Sequence, residues 1–139
     1  MFWQSGQISK QVMRILFWTH LIQASIGVVC FIYYFPVLRL IGKDWELISS
    51  LVVPLAGWMG CWRLHCHSPS AYPFFVGFNL SQLFWVTSES FRYVLTFGFR
   101  INIGLASGST SISLNLVALA LLVLTVMTWE RPWETRPDE

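Results

Sequence analysis

The chain has 139 residues, of which 55% are hydrophobic and 12% are charged, and its formal net charge is +2. Soluble domains carry about 25% charged residues, so this composition excludes a typical water-soluble protein. The basic residues are spread along the sequence, which excludes a phosphate-binding face for nucleic acid. The three cysteines indicate no disulfide framework, because at least Cys30 lies deep in a hydrophobic run.

Four long stretches of the sequence contain no charged residue, and most of them are long enough for one membrane crossing. A helix rises about 1.5 Å per residue, so roughly 20 residues cross a hydrocarbon layer of about 30 Å. Lipid offers no partners to backbone N–H and C=O groups, and these stretches lack the alternation of barrel strands, so we expect helices. The stretches are residues 15–38, 47–62, 64–88 and 101–129.

The sequence therefore predicts an all-α integral membrane protein. We expect a bundle of four transmembrane helices with short loops, or of three if one stretch does not cross, in a single membrane domain. A charged tail at residues 130–139 follows the last helix. The predicted helices cover residues 15–38, 45–64, 71–97 and 108–129.

The sequence marks some ends of these predicted helices more clearly than others. Arg39 closes the first helix, and Asp44 with Glu46 suits the positive end of the second helix dipole. The third helix either continues to residue 97 or ends near Thr87. Before the fourth, the small and polar residues 104–111 favour a loop that leads into a helix cap.

Four crossings place the N-terminus, the loop after residue 64 and the tail on one side of the membrane. Five basic residues lie on that side and four on the other, so the positive-inside rule leaves the orientation open. Tryptophans near the predicted helix ends are typical of the aromatic belts at membrane–water interfaces. They are Trp18, Trp45, Trp62 and Trp129.

Histidine and cysteine residues near the end of the second helix are candidate metal or haem ligands. Cys61 and His65 are four residues apart, so they share a helix face at a usable metal-binding spacing. His20 lies at the same side of the membrane as His65 and His67, and two such histidines on neighbouring helices would ligate a haem. The alternative is that these residues serve packing and the membrane interface.

Two further pairs are candidates for structural or transport roles. Glu89 and Arg92 would form an ion pair three residues apart on a helix, or belong to an ion path at membrane depth. Ala56 and Gly60 form a small-x-x-x-small pair that permits close contact between helices.

No catalytic constellation is visible in the sequence, so we expect a protein that is not an enzyme. Polar residues recur within apolar stretches, and such groups need partners from other helices or other chains. We therefore expect an accessory subunit of a larger membrane complex, in contact with lipid and with other subunits. Because bioenergetic complexes contain many small membrane subunits, we expect this complex to be respiratory, an ATP synthase or photosynthetic, in an organellar inner or other energy-converting membrane. The alternatives are a haem-binding or metal-binding redox protein and a small transporter or channel.

Overall fold

The computed structural model describes residues 5–41, 44–66, 68–89, 92–94, 98 and 100–129. Within these ranges the chain forms four helices and four strands. The charged tail at 130–139 lies outside the described residues. The elements are α1 Ser5–Ile41, α2 Asp44–His65, α3 Ala71–Leu83, β1 Phe84–Thr87, β2 Arg92–Val94, β3 Asn102–Ser107, β4 Thr110–Asn115 and α4 Leu116–Trp129.

The first two predicted helices are confirmed as helices, and α1 begins ten residues earlier than expected. Two segments, Gln11–Val37 in α1 and Glu46–His65 in α2, are long and apolar enough to cross a membrane. The other two helices have 13 and 14 residues, which corresponds to a length of about 20 Å each. Each of these two helices is therefore shorter than a hydrocarbon layer.

The four helices pack in a ring. In this ring α1 contacts α2, α2 contacts α3, α3 contacts α4, and α4 returns to α1. The Tyr72 and Trp129 rings stack at 6.0 Å and join the start of α3 to the end of α4. A small hydrophobic core fills this end of the ring and consists of Cys61, Leu64, Ala71 and Phe75, flanked by Met13, Phe17 and Leu21.

The all-α prediction is wrong between α3 and α4, where a four-stranded antiparallel sheet replaces the predicted helix ends. The third helix stops at Leu83 instead of continuing to residue 97, and the fourth begins at Leu116 instead of residue 108. The strand order is β2-β1-β4-β3. Aromatic and β-branched residues fill β1, and polar and apolar residues alternate along β4, both of which favour extended backbone.

The strand register separates the sheet into two chemically different faces. Val86 pairs with Ile112, which pairs with Leu105, and the next row of this kind joins Phe84, Leu114 and Ile103. The intervening rows carry Trp85, Thr87 and small or hydroxyl residues from β3 and β4. The rows of large apolar residues lie on one side of the sheet, which we call the apolar face. It is formed by Phe84, Val86, Ile103, Leu105, Ile112 and Leu114.

A two-residue turn joins β3 to β4. Ser107 pairs with Thr110, so only Gly108 and Ser109 lie in the turn. Gly108 has a φ of 59°, a left-handed conformation that glycine adopts without steric cost and that tight hairpins require. The glycine therefore fixes the register of the hairpin.

Asn115 caps the helix that follows the sheet. Its Oδ1 accepts hydrogen bonds from the backbone N–H groups of Val117 and Ala118, at 3.1 and 3.4 Å. We expect Asn115→Ala to lower the free energy of unfolding by about 1 kcal/mol, because two donors of the first helical turn lose their partner. Thermal unfolding followed by circular dichroism in detergent measures this change. Asn115→Asp keeps the cap and is the control; equal loss in both variants would contradict the capping role.

Candidate functional site

Several buried positions of the helices carry polar side chains beside the apolar core, whereas many exposed positions are apolar. Along α1, the positions that face the bundle are Leu16, His20, Gln23 and Gly27, which recur at helical spacing and are all buried. This arrangement is the reverse of that in a water-soluble helix, whose polar residues face outward. The buried polar residues of the described chain are His20, Gln23, Asn79, Gln82, Asn115, Thr125 and Thr128.

A hydrogen bond between His20 and Asn79 lies at the centre of this polar interior. It crosses the ring of helices from α1 to α3, and both side chains are fully buried. The Asn79 Nδ2 and His20 Nε2 atoms are 2.9 Å apart, and His20 Nδ1 is 2.6 Å from the carbonyl oxygen of Leu16. We call this pair the His20–Asn79 bridge.

The bridge fixes the protonation of the imidazole. A carbonyl oxygen only accepts hydrogen bonds, so Nδ1 carries the proton and donates it to Leu16, while Nε2 accepts from the Asn79 amide. Both ring nitrogens are thereby engaged. The other amide atom, Asn79 Oδ1, is buried and has no hydrogen-bond partner among the described residues. A buried oxygen without a hydrogen bond lowers the free energy of unfolding, so the packing around Asn79 has to compensate for this loss.

Aromatic rings enclose the bridge. The His20 ring lies 4.2 Å from the Phe75 ring and 5.6 Å from the Phe78 ring, measured between centroids. Glycines on α2 allow these phenylalanines to approach. A Cβ atom on Gly57 would lie 2.9 Å from the Phe78 ring, and one on Gly60 would lie 2.7 Å from the Phe75 ring. The polar bridge is therefore held by close contact between α2 and α3.

The proposed haem ligands occupy very different surroundings. His20 is buried and uses both nitrogens in the bridge, whereas His65 is exposed at the end of α2, and His67 lies outside the described residues. Ligation of iron by His20 would require its bond to Asn79 to break. The arrangement thus serves to hold helices together, and it offers no free imidazole nitrogen at this position.

The two residues of the proposed metal pair also differ in burial. Cys61 is buried, and its thiol donates to the carbonyl oxygen of Phe17 across 3.6 Å, whereas His65 is exposed. Within the described part of the chain, no group of three or more His, Cys, Asp or Glu side chains is placed to hold a metal ion. Cys61 acts here as a packing residue that links α2 to α1.

The helical arrangement predicted for Glu89 and Arg92 is wrong, because α3 has already ended before them. Glu89 is exposed in a bend after β1, and Arg92 begins β2 opposite Thr87. The side chain of Arg92 lies outside the described part of the structure, and so does the proposed ion pair. Glu89 is exposed and lies outside the helices that carry the buried polar side chains, so an ion path through Glu89 stays a prediction.

Sequence reasoning identified Gly60 as a packing residue but missed Gly57 beside it. Gly60 lies in the contact with α3, as the small-residue pair suggests, while its expected partner Ala56 is only half-buried. Asn79 was visible as a polar residue inside an apolar stretch, yet nothing in the sequence links it to His20. Arg100 lies 5.2 Å above the Trp85 ring, a cation–π contact within the sheet region that the sequence also does not reveal.

Comparisons with protein-family models, with curated proteins and with solved structures find no match for this chain.

Proposed function

We propose that this protein is a small multi-pass accessory subunit of a larger integral membrane complex, in which it fills space between larger subunits. The observation that carries the proposal is the reversed polarity of its helices. Polar side chains occur at buried positions, where most of them bond to one another or to backbone, and many large apolar side chains are exposed. In water this arrangement is unfavourable, because exposed apolar surface costs roughly 25 cal/mol per Å². In lipid or against another hydrophobic chain it is favourable.

Two continuous apolar stripes support a position in the membrane. Exposed apolar residues recur every three or four positions along α1 from Trp18 to Tyr33 and along α2 from Ile48 to Trp62, so each set lies along one face of its helix. Val29 is 64% exposed and Trp62 is 69% exposed. The α1 stripe consists of Trp18, Ile22, Ile26, Val29 and Tyr33, and the α2 stripe of Ile48, Val52, Leu55, Met59 and Trp62.

Exposed aromatic residues lie at both ends of the α1 stripe. Trp18 marks one end, and Tyr33, which is 77% exposed, marks the other. They are separated by about 22 Å along the helix axis, less than a hydrocarbon layer of about 30 Å, so the crossing that we propose extends beyond the stripe within the apolar segment Gln11–Val37. Trp62 and Trp129 lie at the same end of the bundle as Trp18, because Cys61 contacts Phe17 and Trp129 stacks on Tyr72 next to Met13. The aromatic residues at this shared end, together with the lengths of the apolar segments of α1 and α2, favour two full crossings.

In this proposal the third and fourth crossings each combine a helix with a strand. With about 1.5 Å per helical residue and about 3.3 Å per strand residue, α3 and β1 together reach roughly 33 Å. Strands at membrane depth are tolerated only where protein surrounds them. The proposed four-crossing topology thus needs neighbouring subunits against the sheet, which fits an accessory role. A bioenergetic complex of an energy-converting membrane is the setting that we propose.

A native gel of gently solubilised membranes, followed by mass spectrometry of the bands, tests this proposal. We expect the chain to migrate with much larger membrane subunits and to be absent from the low-mass region. A photo-crosslinking amino acid at Tyr33 should capture one of those subunits or lipid, because the side chain faces outward. The same amino acid at Phe75, which is fully buried, is the matched control and should give crosslinks only within the chain.

Alkaline carbonate extraction separates the two parts of the proposal. A chain that leaves the membrane pellet would overturn membrane insertion itself. A chain that stays in the pellet but runs alone on the native gel would overturn the accessory role and leave insertion standing.

A further inference from the structure

The two edges of the sheet differ in a way that bears on association. Edge strand β2 has three residues and contains Arg92, two features that discourage pairing with another strand. Edge strand β3 has six residues, Asn102–Ser107, all of them exposed and none of them charged or proline. Natural proteins usually protect such an edge with charge, proline or a covering element. This edge lacks the first two.

The pairing of β3 with β4 determines which backbone groups of β3 point outward. The N–H of Leu116 donates to the carbonyl oxygen of Ile101 at 2.8 Å, so residues 101 and 116 form a hydrogen-bonded pair. In an antiparallel ladder such pairs alternate with non-bonded pairs. Ile103, Leu105 and Ser107 therefore bond to β4, while Asn102, Gly104 and Ala106 direct their N–H and C=O groups to the open edge.

We propose that β3 pairs antiparallel with β3 of a second copy of this chain, so that two four-stranded sheets join into one of eight strands. In the register centred on Gly104, Asn102 faces Ala106 of the second copy and Gly104 faces Gly104 of the second copy. The registers centred on Gly104 and on Leu105 both join outward-directed residues and pair five of the six residues of the strand, but only the one centred on Gly104 places Ile103 opposite Leu105 instead of Ser107. A twofold axis then passes between the two glycines.

The chemistry of β3 favours a second copy over an unrelated strand. Twofold pairing places two identical strands side by side, so any net charge of the strand would meet the same net charge of its copy; β3 carries none. The same register places Ile103 opposite Leu105 of the second copy. Both residues lie on the apolar face, which becomes continuous across the axis. The small side chains at positions 102, 104 and 106 leave the other face free of clashes.

Charge substitutions at the apolar positions of β3 test this pairing and its register. The measurement is the mass of the full-length protein in detergent micelles by light scattering over a range of concentrations, with a two-chain particle expected. Ile103→Lys and Leu105→Glu, at positions 63% and 85% exposed, should each weaken self-association about tenfold or more. Combined, they should restore it, because each new lysine faces a new glutamate of the second copy on both sides of the axis.

Ser109→Lys is the matched control, since it adds the same charge in the exposed turn beyond the edge, and it should leave the mass unchanged. Circular dichroism of every variant verifies that the fold persists. A one-chain particle for the unmodified protein at all concentrations would overturn the proposal, and so would two-chain particles in both single variants. A double variant as weak as the single ones would overturn the register centred on Gly104.

Discussion

Replacing His20 with alanine is expected to lower the free energy of unfolding by about 3–5 kcal/mol, the largest effect of any single polar residue in the helices. The substitution removes a ring that packs against Phe75 and Phe78, and it leaves a cavity between them. It also removes the acceptor of the Asn79 amide, whose Oδ1 is already without a partner in the described structure. Denaturation with SDS in mixed micelles, followed by circular dichroism, measures the loss.

Two further variants separate the hydrogen bond from the packing. His20→Phe keeps a ring in place but leaves the Asn79 amide unpaired, which should cost about 1–3 kcal/mol. Adding Asn79→Leu replaces the second partner with an apolar group of similar shape and should recover most of that loss. If the double variant is as unstable as His20→Phe alone, the bridge is not what His20 contributes.

Gly60→Leu is expected to lower the free energy of unfolding by about 3 kcal/mol or more, through overpacking. A Cβ atom at this position would lie 2.7 Å from the Phe75 ring and 3.2 Å from the Cβ of Phe74. Phe75 is fully buried against the His20 ring, so it has no space into which to move. The expected result is separation of α2 from α3, measured by the same SDS titration.

Gly77→Leu provides the matched control on the neighbouring helix. Gly77 is exposed, and a Cβ atom there would have no other atom within 4 Å. Because glycine costs about 0.5–1 kcal/mol in a helix interior relative to alanine, this variant should be slightly more stable than the unmodified protein. Equal destabilisation by both leucines would show that steric contact with Phe75 is not the cause.

The sequence predicts α1 and α2 well because long uncharged stretches leave helix as the main option in lipid. It predicts α3 and α4 only in part. Hydrophobicity alone does not separate helix from strand in the stretch after Leu83, where aromatic and β-branched residues follow directly. The alternation of Ser111, Ile112, Ser113 and Leu114 is the signal that would have revealed β4, with Gly108 and Ser109 as its turn. Small polar residues are equally typical of loops, so composition alone does not distinguish this hairpin from a loop.

The candidate site was predictable in its residue types and not in its pairing. His20, Asn79 and Gln82 are conspicuous as polar residues in apolar stretches, which correctly places them inside the bundle. The link between His20 and Asn79 depends on the rotation of α1 and α3 about their axes, which α2 sets through Gly57 and Gly60. That rotation arises from contacts between residues distant in sequence, so no local pattern contains it.

The junctions between helix and strand have a mechanical consequence. Leu83 ends α3 and Phe84 begins β1, while Asn115 ends β4 and Leu116 begins α4, so no linker residue separates either helix from the sheet. A displacement of β1 or β4 is therefore passed directly to α3 or α4, because no intervening loop can absorb it. Since α3 carries Asn79, the hydrogen bond to His20 connects the position of the sheet to α1.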